Sequence, residues 1–73
     1  MSEYGVALFY TTSSVMAAEK LLMKEGFTIK LVPTPRQFSS DCGISLRFPW
    51  ERNQNVETVL QREHIEYEAI RQL

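Results

Sequence analysis

An α+β sandwich, one antiparallel four-stranded sheet with two helices on a single face, is the fold class this 73-residue chain predicts. Four short apolar segments read as strands, and two others carry helical periodicity. Their order along the chain is β-α-β-β-α-β. The length leaves room for one domain, taken as residues 1–73.

YGVALFY (Tyr4–Tyr10) is a nearly continuous apolar run with aromatic and β-branched residues, which reads as a strand buried on both faces and therefore central. TTSS (Thr11–Ser14) ends that strand and supplies hydroxyls for capping a helix. The helix, SVMAAEKLLMKEG, starts at about Ser13, places Val15, Ala18, Leu21 and Leu22 at helical spacing, and stops at Gly26. FTIKLV (Phe27–Val32) alternates, with Phe27, Ile29 and Leu31 inward and Thr28 and Lys30 outward, and Pro33 closes it. ISLRF (Ile44–Phe48) repeats the pattern, with Ile44, Leu46 and Phe48 inward, Ser45 and Arg47 outward, and Pro49 as its end.

PWERNQN is turn material in which Asn53 or Asn55 is expected to cap a second helix, whose stripe is Val56, Val59 and Leu60. IEYEAI (Ile65–Ile70) alternates again as the last strand. Half-buried strands need one covered face, and two amphipathic helices supply it. The expected architecture is ferredoxin-like, with the first and third strands central.

Composition narrows the function classes. With 44% hydrophobic and 23% charged residues the chain is ordinary globular material, and a net charge of −1 gives no electrostatic footprint for nucleic acid. No apolar run approaches the roughly 18 residues of a membrane span, so no membrane partner is expected. MSEYGVALFY lacks the basic start and longer apolar stretch of a signal peptide, and the expected location is the cytoplasm. One cysteine cannot form an internal disulfide. One Cys and one His cannot close a zinc shell within a monomer, so neither metal nor cofactor is expected.

That cysteine lies in PTPRQFSSDCG, the long connection Pro33–Gly43 between the second and third strands. In a ferredoxin-like topology this connection returns to the end of the sheet where the first helix begins. Cys42 would then approach helix N–H groups and their partial positive charge, a setting that favours a nucleophilic thiolate. Arg36 would add a fixed positive charge, while Ser39, Ser40, Thr11, Thr12 and Ser13 would offer hydrogen bonds to an anionic substrate. Gly43 would let the backbone turn sharply and leave the sulfur uncrowded, and Asp41 is the unfavourable neighbour. The competing reading treats Cys42 as a small buried hydrophobe. Its Ser-Ser-Asp and Gly flanks are turn composition rather than core composition.

PTPRQFSSDCGISLRF resembles the motif of the selenium/sulfur (Se/S) carrier protein-like family, a small bacterial family first catalogued as a domain of unknown function. Pro33, Pro35, Arg36, Ser39, Ser40, Cys42, Gly43, Leu46, Arg47 and Phe48 carry the match. Phe9, Thr11, Ala18, Glu19, Lys20, Leu21 and Leu22 fit the family's first strand and helix. The resemblance implies a carrier rather than a catalyst, in which Cys42 holds sulfur or selenium as a persulfide or selenosulfide. It also implies donor and acceptor proteins as partners. The CPxP motif of another sulfur-relay type is absent, because Pro33 and Pro35 precede the cysteine. The alternatives are a ferredoxin-like interaction or regulatory module without thiol chemistry and, more remotely, a thiol enzyme or redox sensor.

Other residues have plainer readings. His64 would lie at the Cys42 end of the sheet but beside an edge strand, where a helix C-terminus explains it without a Cys–His pair. Trp50 reads as cover for the opposite end of the sheet, and Glu63, Glu66 and Glu68 as a solvated edge. On the open face Phe9 is the candidate aromatic for stacking bases, but no RNP-like motif accompanies it. An apolar patch on that face would serve a homodimer.

Overall fold

The computed structural model describes residues 3–38 and 42–73, arranged as β1 (Tyr4–Leu8), α1 (Thr12–Lys24), β2 (Lys30–Pro33), β3 (Ile44–Pro49), a 3-10 turn (Trp50–Arg52), α2 (Asn53–Arg62) and β4 (Ala69–Gln72). The sheet order is β2-β3-β1-β4, antiparallel throughout, which is the expected α+β ferredoxin-like arrangement. β3 and β1 are central, and the register sets Gly5 opposite Phe48, Ala7 opposite Leu46 and Leu31 opposite Leu46.

One face of the sheet carries the core. Ala7, Phe9, Leu46 and Phe48 pack with Val15, Ala18 and Leu22 of α1 and with Val56, Val59 and Leu60 of α2. These are the stripes that the helical spacing picks out. Phe9, expected on the open face, is buried under the helices. It lies beyond the end of β1 but keeps the parity of Gly5 and Ala7.

Both helices end in the same way. After α1, Gly26 has a φ of 89°, its N–H bonds to Met23 O (3.1 Å), and the N–H of Phe27 bonds to Leu22 O (2.9 Å). After α2, His64 has a φ of 58°, its N–H bonds to Gln61 O (3.2 Å), and the N–H of Ile65 bonds to Leu60 O (2.9 Å). Each is a Schellman motif, with Phe27 or Ile65 returning to the core as the hydrophobic partner.

Several boundaries differ from expectation. Phe27, Thr28 and Ile29 precede β2, because the Schellman turn directs Phe27 into the core before pairing begins. IEYEAI is mostly the approach to β4: Tyr67 turns aside to α2, its hydroxyl donating to Glu57 (2.8 Å) and accepting from Gln61 (2.9 Å). Neither asparagine caps α2 by its side chain. The N-cap is Arg52, and Asn53 is the first helical residue, donating instead to Trp50 O (2.7 Å). Trp50 covers one end of the sheet, stacking on Phe48 with 6.2 Å between ring centres. A Cβ built on Gly5 would overlap Trp50 Cε3, so glycine is what admits the indole there.

Candidate functional site

The position of Cys42 is set by its backbone. β2 and β3 pair up to Pro33 opposite Ile44, and one further bond, Thr34 N–H to Gly43 O (3.0 Å), extends the pairing. The Thr34 hydroxyl donates to Cys42 O (2.9 Å) and lies 2.8 Å from Ser45 Oγ. Ser45 is fully buried, so this hydroxyl pair satisfies a polar group that water does not reach. Thr34 thereby holds Cys42 and Gly43 against the end of β2.

From that anchor the Cys42 side chain enters the helix layer and joins the hydrophobic core, with 4% of the residue exposed. Its Sγ lies 3.8 Å from Thr12 Oγ1, in the first turn of α1. The expected meeting of the thiol with the start of this helix is therefore present in the geometry. Thr12 is the candidate hydroxyl brought to it.

The other candidates are distributed differently. Thr11 is the N-cap of α1: its Oγ1 accepts the Ser14 N–H (3.1 Å) and donates to Ser14 Oγ (3.0 Å), so its hydroxyl is engaged in capping. Ser13 is exposed in the first turn. Arg36 is exposed and makes no hydrogen bond or ion pair among the described residues. Ser39, Ser40 and Asp41 lie outside the described residues. Gly43 is exposed with a φ outside the left-handed region, and a Cβ there would meet nothing within 4 Å. The backbone bends at Cys42 and Gly43, as expected, but without the left-handed conformation that only glycine adopts freely. No hydrogen bond joins His64 to Cys42 among the described residues, and the Schellman turn accounts for His64.

Sequence reasoning missed Thr34 and misjudged Ser45. Alternation places Ser45 on the sheet face away from the helices, yet Ser45 is fully buried there. A small polar residue on the outer face of a central strand was the available signal. Thr34 gave none, since its partners are eight and eleven residues away along the chain.

Among the described residues no group of three or more His, Cys, Asp or Glu side chains could hold a metal ion. No helix among them is long and apolar enough to cross a membrane. A family model described as "Putative Se/S carrier protein-like" matches residues 4–72 of the chain. No curated protein and no solved structure matches it.

Proposed function

The chain belongs to the Se/S carrier protein-like family, and from that premise we propose that it carries sulfur or selenium on Cys42. The observation that supports this most directly is the placement of the chain's single thiol against the first turn of α1, 3.8 Å from Thr12 Oγ1. A hydroxyl at that distance can share a hydrogen bond with the sulfur and hold it in one place for exchange. The loading step is an exchange with a donor protein's persulfide. The Cys42 sulfur attacks the donor's terminal sulfur, the new S–S bond forms at Cys42, the donor's S–S bond breaks, and the donor cysteine leaves as a thiol with the displaced proton. A donor selenosulfide reacts in the same way to leave Cys42–S–SeH. Passage to an acceptor thiol repeats the exchange in the other direction. Thr12 steadies the sulfur at the start of α1, and Arg36, Ser39, Ser40, Thr11, Ser13 and Gly43 are the residues this reading assigns to binding the substrate.

The burial of Cys42 favours a second reading, an interaction module in which the thiol is a core residue. The two separate when the folded chain is incubated with a small persulfide donor and analysed by mass spectrometry. The carrier gains one sulfur atom at Cys42, and a folded Cys42→Ser variant gains none. A chain that takes up sulfur only when unfolded is the module.

A further inference from the structure

The face of the sheet away from the helices carries a charge pattern that neither the core nor the thiol accounts for. Lys30 on β2 pairs with Arg47 on β3, Arg47 pairs with Val6 on β1, and Val6 pairs with Arg71 on β4. One row across all four strands thus reads Lys, Arg, Val, Arg. Alternation puts this row opposite the face formed by Ala7, Leu46 and Phe48. At the strand spacing of about 4.8 Å the three cations span roughly 14 Å.

The row is costly as it stands. Lys30 and Arg47 are directly opposed like charges, a pairing that destabilises a sheet. None of the three cations forms an ion pair among the described residues, where the ion pairs are Arg62 with Glu25 and Arg62 with Glu63. Arg47 gains only the ring of Tyr4, 4.5 Å below its guanidinium, and Arg71 reaches the carbonyl of Ile70. Lys30, Arg71 and Tyr4 are exposed. Val6 at the centre is fully buried although it lies outside the helix-side core, as expected where the aliphatic stems of flanking arginines cover a strand. A local conflict of this kind in an otherwise consistent sequence marks a surface selected for something other than stability.

We infer that this face is a docking surface for an acidic patch on another protein, with Lys30, Arg47 and Arg71 as its contacts. Charge complementarity sets the sign of the partner. The size of the row sets its class, because three cations match a few carboxylates, whereas nucleic-acid binding rests on a longer track of phosphate contacts. Tyr4, the one aromatic on the strands of this face, already has Arg47 over its ring. Glu68 shares a cleft with Arg71 at the β4 end of the row, and Glu3 and Glu51 share one with Tyr4 beyond it along β1. The inference does not depend on the chemistry of Cys42, whose side chain lies on the opposite side of the sheet.

The test is an NMR titration of the folded chain with a synthetic Glu-rich peptide, and separately with an oligothymidylate of matched charge. The expected result is a set of amide shifts centred on Val6, Lys30, Arg47 and Arg71 that fades as salt is raised. Binding should weaken about tenfold in Lys30→Glu, an exposed edge-strand change that leaves the fold intact, and in Arg71→Gln. Shifts at another surface, or none, would overturn the inference. Equal or tighter binding of the oligothymidylate would overturn it in favour of a nucleic-acid surface. The same shifts appearing with protein concentration alone would assign the face to a second copy of the chain.

Discussion

Thr34 is the residue on which the placement of the thiol turns. Its hydroxyl serves Cys42 O and Ser45 Oγ together, and its N–H holds Gly43. Thr34→Val keeps the shape and removes the hydroxyl, leaving Ser45 buried without that partner at a cost of about 1–3 kcal/mol. A urea titration should show the lowered midpoint, and Thr34→Val combined with Ser45→Ala should recover part of the loss, because both partners are then apolar. The Cys42 thiol of the single variant should also be alkylated faster in the folded state, since the hydrogen bond from the Thr34 hydroxyl to Cys42 O is gone while only the Thr34 N–H bond to Gly43 O remains. At this scale the sequence was only partly legible. Cys42 and Thr12 were found because topology alone brings the β2–β3 connection to the start of α1. Thr34 reads in the sequence as a spacer between two prolines, since a hydrogen bond across a sheet leaves no local trace.

The elements were legible where their cause is local. Val15, Ala18 and Leu22, like Val56, Val59 and Leu60, announce buried stripes by spacing alone, and Gly26 announces the end of α1. The end of α2, read at His64 from its position alone, carries no glycine signal, because His64 itself fills the left-handed position. A non-glycine residue pays conformational strain there that glycine does not. His64→Gly is therefore expected to stabilise the chain by about 1 kcal/mol, read as a higher midpoint in thermal or urea unfolding. If the imidazole instead had a role in thiol chemistry, the same variant would lose sulfur loading. The strand ends were legible only to within a few residues, for a tertiary reason. Phe27 and Tyr67 alternate correctly with their neighbours but are drawn to the helices, so β2 and β4 begin later than the pattern indicates.

Across the whole molecule the architecture followed from element order and one-sided alternation, while the open face did not. Its charges look like ordinary outward strand residues until the register aligns them in one row. Stability also carries a pH signature at this scale. Burial, then the hydrogen bond to Glu57, pushes the Tyr67 hydroxyl above its ordinary value of 10.0, while the bond from Gln61 opposes the shift. A raised folded-state value means that the neutral phenol is the form the fold prefers. Its contribution is complete below the unfolded value and is lost as pH rises through the folded one. The urea midpoint should therefore begin to fall as pH rises above the ordinary phenol value of 10.0, and less steeply in Tyr67→Phe. The strand order carries a further consequence, for synthesis. β1 is made first, yet the strands that flank it, β3 and β4, are made long afterwards, and β4 comes last. Until Ala69–Gln72 leaves the ribosome, the most apolar strand of the protein is an open edge able to pair with a neighbouring nascent chain. Ala69–Gln72 thus closes the edge that β1 would otherwise present.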